Sequence, residues 1–255
     1  KQFPSLEEEY VRVEQSRLNP EAWNFIGIEE HEILEKLTCH ESILSSYGKS
    51  FRGIITGLNE GFITSKNIGD YSILKPVYDG KDLKKWVSPP TKKQLITFES
   101  KSTKMEHGDV AEAEAKELMV KDYPEVFAHL NLFEAKAKQR YDKGDFWWEL
   151  RNCAYYDLFA KEKIVFPNLQ NSNKFSLDDS GSYINAPAVF LPSENRALLG
   201  VLNSKTVWYF LKSICVIRSG GFIEVKPQYF EQIPIPELKN SIGDNINLKI
   251  PEPEI

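Results

Sequence analysis

Cysteine is scarce in this chain, with three residues in 255, and no two of them have the Cys-x-x-Cys spacing of a metal or redox site. Cys39, Cys153 and Cys215 leave an odd thiol, which argues against a disulfide framework and for a reducing compartment. A run of about 18 apolar residues is also missing, as is a signal-peptide pattern. The sequence therefore predicts a cytoplasmic protein that neither crosses a membrane nor is secreted.

Catalytic and metal-binding motifs are missing as well. There is no glycine-rich phosphate loop and no Gly-x-Ser-x-Gly nucleophile turn. Asp142, Asp145 and the pair Asp178-Asp179 match no calcium loop, and acidic turns explain them better. The four histidines lack zinc-motif spacing: His31, His40, His107 and His129. We therefore expect no catalytic residue, no metal ligand and no cofactor-binding residue in this chain.

Charge is distributed unevenly along the chain, although the net charge is only −5. Residues 49–93 carry nine basic and four acidic side chains, and residues 136–176 carry eight and five, whereas residues 1–48 carry four and ten. Phosphate binding requires local rather than global positive charge. The two basic blocks therefore predict a basic groove on an acidic body, and the alternative is a solvated surface of mixed charge.

A pair of tryptophans stands in a charged segment, Tyr141-Asp-Lys-Gly-Asp-Phe-Trp-Trp-Glu-Leu-Arg151. On a strand, Trp147 and Trp148 would point to opposite faces, so we expect one ring to face solvent or a ligand. The planar guanidinium of Arg151 suits a phosphate or a guanine edge. Alternatively, both rings pack against helices and Arg151 pairs with Glu149 or Asp145.

Periodicity and turn residues predict both helices and strands. Helices are expected at residues 29–37, 111–122 and 196–212, and a further one is expected to begin at Pro124. Residues 51–55 and 61–64 are expected to form two strands joined by a hairpin-like turn at 56–60. Further strands are predicted at 72–77, 95–98, 163–166, 182–191 and 222–225.

Several segments, in this order, resemble one known family. The first are Phe51-Arg-Gly-Ile-Ile-Thr-Gly-Leu-Asn-Glu-Gly-Phe62 and Ile73-Leu-Lys-Pro-Val-Tyr-Asp-Gly-Lys-Asp-Leu83. The later ones are Tyr123-Pro124, the segment 140–151, Tyr155-Tyr156, Lys163-Ile-Val-Phe-Pro167, Leu199–Ser204 with its Leu-Asn-Ser, Arg218-Ser-Gly-Gly-Phe222 and Gln228-Tyr-Phe-Glu-Gln-Ile-Pro-Ile-Pro236. Together they resemble the C-terminal specificity domain of TaqI-like adenine DNA methyltransferases and fused type II (type IIG, Eco57I-like) restriction–modification enzymes.

The resemblance implies an α+β fold, with a twisted β-rich part that recognises double-stranded DNA, packed helices and a C-terminal apolar helix. It implies a target-recognition domain over residues 22–238, preceded by a lead-in at 1–21 and followed by a tail at 239–255. The family's Asn-Pro-Pro-Tyr catalytic motif and its cofactor motif are absent, and the chain starts at Lys1. We therefore expect the S-adenosylmethionine-dependent methyltransferase domain, a partner of this domain, to lie N-terminal to it in a bacterial parent protein.

Basic, hydroxyl and aromatic residues within the matching segments and the basic blocks are the candidates for DNA contact. They are Arg52, Thr56, Lys75, Lys81, Lys84, Lys85, Trp147, Arg151, Tyr155, Lys163 and Arg218. Lysines would contact phosphates, an arginine would read guanine, and the aromatic residues would support them.

Two other classes of function remain open. The apolar helix at 196–212 and the Ile-Pro-Ile-Pro segment could make this a helical spacer or protein-interaction module. Carboxylates beside the tryptophan pair could instead belong to a hydrolase that stacks sugars on an indole ring.

Overall fold

Aromatic and branched residues form the strands, and Ala-, Glu-, Lys- and Leu-rich segments form the helices. The computed structural model describes Gln15 and residues 27–39 and 42–238. Apart from Gln15, the predicted lead-in and the predicted tail lie outside the described residues. The fold is α+β, as the sequence predicted. The boundaries of the predicted domain, 22 and 238, stay a prediction.

The largest sheet has five strands: β1 Phe51–Arg52, β4 Trp86–Val87, β6 Lys163–Phe166, β8 Ser176–Asp178 and β10 Val189–Pro192. Their order across the sheet is β1-β10-β6-β8-β4. β4 runs parallel to β8, and the other neighbours are antiparallel. Strands distant in the sequence therefore lie side by side.

This sheet separates two hydrophobic cores. Side chains alternate between the two faces of a strand. On β6, Val165 packs into the first core, whereas Ile164 and Phe166 pack into the second. On β10, Phe190 belongs to the first core and Val189 to the second. Both central strands are thus buried on both faces.

Two smaller sheets flank the central one. The first has the order β2-β5-β3-β9, and the second has the order β11-β12-β7. Their strands are β2 Ile63–Thr64, β3 Leu74–Tyr78, β5 Gln94–Ile96, β7 Leu169–Gln170, β9 Tyr183–Ile184, β11 Val216–Ile217 and β12 Ile223–Glu224. The predicted strand at 182–191 is divided between β9 and β10, which belong to different sheets.

Helices cover the outer faces of both cores. They are α1 Ile28–Thr38, α2 Asn59–Phe62, α3 Ser102–His107, α4 Glu112–Asp122, α5 Pro124–Leu130, α6 Glu134–Lys138, α7 Arg196–Leu202, α8 Lys205–Ile214 and α9 Pro227–Phe230. The predicted helices at 29–37, at 111–122 and from Pro124 are confirmed as α1, α4 and α5. Among the described residues, no helix is both long and apolar enough to span a bilayer.

The predicted hairpin around residues 56–60 is wrong. β1 pairs with β10, β2 pairs with β5, and the residues between them include the helical turn α2. Gly57 does adopt a positive φ of 69°, as expected for a turn glycine. The two segments were assigned as partners because they are neighbours in sequence, but long-range packing places them in different sheets.

The predicted apolar helix at 196–212 is two helices, α7 and α8. The break occurs at Asn203 and Ser204, whose side chains form hydrogen bonds with the backbone of other residues. The Asn203 Nδ2 donates to the Phe175 carbonyl at 2.9 Å, and the Ser204 hydroxyl accepts from the Val207 N–H at 3.2 Å. Ser204 thus caps a new helix where apolar periodicity alone predicted continuation.

Candidate nucleic-acid interface

The central motif contains a buried carboxylate that ties three segments together. The Glu149 side chain is fully buried. Its Oε1 accepts the backbone N–H of Thr103 at 3.1 Å, and its Oε2 accepts those of Lys101, Asp145 and Phe146 at 3.2, 2.8 and 3.3 Å. Charge-assisted bonds to backbone N–H groups are among the stronger protein hydrogen bonds. Glu149 therefore organises the fold, and it is not available to a ligand.

Arg140, at the start of the same motif, is a second structural anchor. Its guanidinium donates to the carbonyls of Thr56, Trp147 and Glu149, and it lies 4.1 Å from the centre of the Phe62 ring. Burial lowers the pKa of Arg140 to about 10, so it remains charged at neutral pH. The bonds satisfy carbonyl groups that a turn would otherwise leave unpaired.

Both tryptophans are buried, so the predicted ligand-facing ring is wrong. Trp147 is 2% exposed and Trp148 is fully buried. Residues 145–149 form turns rather than a strand, so the rule of alternating faces does not apply to them. Phe146 stacks on Trp148 at 4.8 Å, and Phe127 meets both indoles edge-on. Trp147 therefore cannot touch DNA directly, and the predicted sugar-stacking platform is absent from this motif.

Thr56 and Lys163 are also corrected as DNA contacts. Thr56 is 1% exposed, and its hydroxyl donates to Asn59 Oδ1 at 2.6 Å. Lys163 is fully buried and forms an ion pair with Asp178. Burial lowers the pKa of Lys163, although Asp178 opposes this effect. The alternation along β6 turns Lys163 inward, where its charge is already neutralised.

Arg52, Arg151 and Tyr155 lie together on the surface, and we call them the arginine cluster. The Tyr155 hydroxyl donates to the Arg52 carbonyl at 3.3 Å. Burial raises the pKa of Tyr155, and the nearby charges of Arg151 and Arg52 act against that rise. Arg151 pairs with Asp142 at 3.1 Å, not with Glu149 or Asp145, and its side chain is 44% exposed. The cluster thus exposes two guanidinium groups beside a half-buried ring.

The remaining candidates differ in how their charges are balanced. Arg218 is exposed but donates to the Glu224 carboxylate, which lowers the pKa of Glu224. Lys75 is half-exposed and lies beside Glu99. Burial raises the pKa of Glu99, and the positive charge of Lys75 opposes that rise. Lys81 is exposed, as are Lys84 and Lys85.

Lys84 and Lys85 line a pocket of about 300 Å³ that also contains residues the sequence did not indicate. We call it the lysine pocket. Its lining residues are Lys84, Lys85, Ser172, Asn173, Lys174, Asn203, Lys205 and Trp208. Lys174 lies in the second basic block, 136–176, but in no segment that resembles the family, and Lys205 lies outside both blocks, so the sequence singled out neither. One signal was visible: Lys205 follows the capping residue Ser204, and a cation in the first turn opposes the helix dipole.

Hydrogen bonds hold the three segments of the lysine pocket together. The Trp86 N–H, beside Lys85, donates to the Phe175 carbonyl at 2.8 Å. The Asn173 Nδ2 donates to the Ser204 carbonyl at 2.6 Å, which joins the 172–174 loop to the start of α8. The side chain of Asn203 binds both backbone groups of Phe175. The Leu-Asn-Ser motif therefore builds the pocket as well as the helix break.

Among the described residues, one group has donors spaced for a metal ion. Possible ligand atoms of Glu106, His107 and Asp122 lie within 4.8 Å of one another. Glu106 and Asp122 are exposed, and His107 Nε2 lies 3.4 Å from an Asp122 oxygen. The packing of α3 against α4 brings these side chains together.

The chain is thus a mixed α+β domain. It has two surface groups of basic residues, the arginine cluster and the lysine pocket, and the motif at 140–151 lies largely in its interior. A family model described as the TaqI-like C-terminal specificity domain matches residues 75–235, which is more than half of the chain. The chain belongs to this family, and it is a DNA-recognition specificity domain of methyltransferase-type enzymes. A search of curated proteins found no match to it.

Proposed function

We propose that this chain is the target-recognition domain of a bacterial restriction–modification DNA methyltransferase that modifies the N6 of adenine. In this proposal the chain grips double-stranded DNA in the cytoplasm and positions the target for a methyltransferase domain elsewhere in the parent protein. That domain would bind S-adenosylmethionine, and this chain would supply no catalytic group. The observation that carries the proposal is the family match over residues 75–235.

Physical reasoning supports this division of labour. A base methyltransferase extrudes its target base from the duplex, so a second surface must hold the duplex in register. Phosphate contacts supply affinity and position, while guanidinium groups can read base edges. The lysine pocket and the arginine cluster offer these two kinds of contact.

The decisive experiment is to sequence modified bases in a bacterial host that carries the gene of the full-length parent. The proposal expects one recurrent sequence motif with N6-methyladenine, and the same motif should be bound preferentially by this chain as a short duplex. A host genome without new methylated adenine, or a chain that binds no duplex, would contradict the proposal.

An apolar groove favours a second candidate, contact with the methyltransferase domain of the parent. The groove has a volume of about 270 Å³ and lies between α1, α8 and the Ile-Pro-Ile-Pro segment. Leu37, Val207 and Phe210 line it together with Pro234 and Pro236. Burial of such apolar surface commonly stabilises domain contacts.

The exposed groove residue Thr206 allows this second candidate to be tested. In the full-length parent, Thr206→Arg should increase cleavage between the two domains by a protease, while Lys212→Ala on the same helix should not. An unchanged cleavage pattern in Thr206→Arg would remove the groove as a domain contact.

A further inference from the structure

We infer that the lysine pocket is a clamp for the sugar–phosphate backbone of duplex DNA, binding it without regard to base sequence. The inference rests on the proposed DNA-recognition function and names the surface that supplies its affinity. Lys84 and Lys85 lie in the first basic block, 49–93, and Lys174 lies in the second, 136–176, whereas Lys205 lies outside both.

The charged side chains that line the lysine pocket are all of one sign among the described residues. Lys84, Lys85, Lys174 and Lys205 line it, and its other lining residues are Ser, Asn and Trp, with no carboxylate among the described ones. Four positive charges around one concavity repel each other in the unbound protein. An anion with several negative charges relieves that repulsion, and a DNA backbone carries one charge per phosphate.

The charges of the pocket lysines are available to a ligand. In the described ranges 27–39 and 42–238, no carboxylate lies within ion-pair distance of the four lysines. By contrast, Lys93 contacts Asp79 and Asp82, and Arg218 contacts Glu224. A cation that is already paired with a carboxylate must lose its partner before it binds a phosphate, and in these ranges the pocket lysines have no such partner. Lys85 Nζ lies 5.2 Å from the centre of the Trp86 ring, a contact that does not neutralise its charge.

Helix α8 begins at the lysine pocket. Ser204 caps it, and Lys205 occupies its first turn. The amino end of a helix is the positive end of its dipole, so a lysine there is electrostatically unfavourable for the helix. Local stability therefore does not explain Lys205. A phosphate bound beside it would interact favourably with both the lysine and the helix end.

Hydrogen bonds fix the backbone around the lysine pocket. The Lys174 N–H donates to Gln170 Oε1 at 2.9 Å, and Asn173 ties the same loop to Ser204. The Lys84 N–H donates to Ser88 Oγ at 3.1 Å, and that hydroxyl lies 2.8 Å from the Ser176 hydroxyl. The backbones that carry the lysines are therefore fixed before binding, which reduces the entropy that binding loses.

Lysine chemistry explains why the clamp should ignore base sequence. An ammonium group is a point charge with rotatable donors, whereas reading of guanine favours the planar fork of arginine. The indole of Trp208 lines the pocket and is half-buried, so it offers an apolar wall to the sugars rather than a reader of bases.

The test measures binding of the 255-residue chain to two fluorescent duplexes of unrelated sequence, by anisotropy, from 50 to 200 mM salt. The combined variant carries Lys84→Ala, Lys85→Ala, Lys174→Ala and Lys205→Ala. It should bind both duplexes more weakly, by the same factor. The logarithm of the binding constant falls linearly with the logarithm of the salt concentration, and each lost phosphate contact should reduce the steepness of this fall by about 0.9. The single variants Lys84→Ala and Lys205→Ala should each lower the slope by about one, which keeps the test valid if the combined variant does not fold.

One charge-matched control and four outcomes complete the design. Alanine at the exposed Lys121, Lys136, Lys138 and Lys143 removes the same net charge from another region and should change the slope less. Wild type that binds no duplex overturns the proposed function itself. Wild type that binds, with an unchanged slope in the pocket variants, overturns only the clamp. Loss of binding to one duplex alone also overturns the clamp. So does binding of inorganic phosphate in the pocket if the variants leave DNA binding unchanged.

Discussion

The backbone N–H of Thr103 donates to Glu149 Oε1 at 3.1 Å, and both side chains are fully buried. The Thr103 hydroxyl also accepts the indole N–H of Trp148 at 2.9 Å. The motif that most suggested a DNA-reading surface is therefore the part that joins α3 to the first core. Its aromatic and charged residues stabilise the domain and hold Arg151 at its edge.

Glu149→Ala should destabilise the chain strongly. It leaves several backbone N–H groups without an acceptor, and each buried unsatisfied group costs about 1–3 kcal/mol. We expect a loss of about 3 kcal/mol or more in urea unfolding. Glu117→Ala, an exposed glutamate on α4, is the control and should change stability by less than about 0.5 kcal/mol. Equal effects of the two variants would contradict the structural role of Glu149.

Gly57→Val should also destabilise, for reasons of backbone shape. Gly57 has φ +69°, and an added Cβ would lie 3.3 Å from Arg140 Cδ and from the Asp142 carbonyl oxygen. A branched residue in this conformation costs on the order of 1–3 kcal/mol. Gly200, within α7, has open space and no positive φ, so Gly200→Ala should raise the melting temperature. An unchanged melting temperature in Gly57→Val would refute the prediction.

Arg151→Ala should weaken binding to the cognate duplex by roughly 1–3 kcal/mol, with a much smaller effect on a scrambled one. Its exposed ion pair with Asp142 contributes only about 0–1 kcal/mol, so the melting temperature should change little. Arg151→Lys should not restore specificity, because lysine lacks the planar fork. Weaker binding to both duplexes, together with a lower melting temperature, would identify Arg151 as a structural residue.

Stability should fall as the pH is lowered below about 6.5, in part because of His129. Burial lowers the pKa of His129 from 6.5, although its bond with the Gly61 carbonyl opposes this effect. The unfolded chain therefore binds a proton at a pH where the folded chain does not, and acid favours unfolding. The stability that depends on neutral His129 is fully present above pH 6.5 and declines as the pH falls below that value. His129→Gln, which keeps a donor for Gly61, should flatten the urea stability curve between pH 7 and 5; an identical curve would argue against this role.

The chain alone should transfer no methyl group. Its sequence contains neither the family's cofactor motif nor its catalytic motif. Incubation with tritiated S-adenosylmethionine and DNA of mixed sequence should give only background incorporation, whereas the full-length parent serves as the positive control. Reproducible labelling by the purified chain would refute the prediction.

Short-range patterns predicted individual elements more reliably than their partners. The helix from Pro124 follows from a proline that suits the first turn and from an apolar stripe, and the structure confirms it. The hairpin at 51–64 failed because pairing depends on where distant strands lie, and β10 is the partner of β1. The pattern at 196–212 showed an apolar face but could not show that Asn203 binds Phe175.

The sequence by itself determined the mixed helix and strand content and the family that the ordered motifs identify. Only the tertiary structure decided which candidate residues reach the surface, because burial depends on side chains that arrive from distant segments. Trp147 and Lys163 are turned inward by packing and by an ion pair. Lys174 and Lys205 meet Lys84 because hydrogen bonds through Phe175 and Ser204 bring three separate segments together.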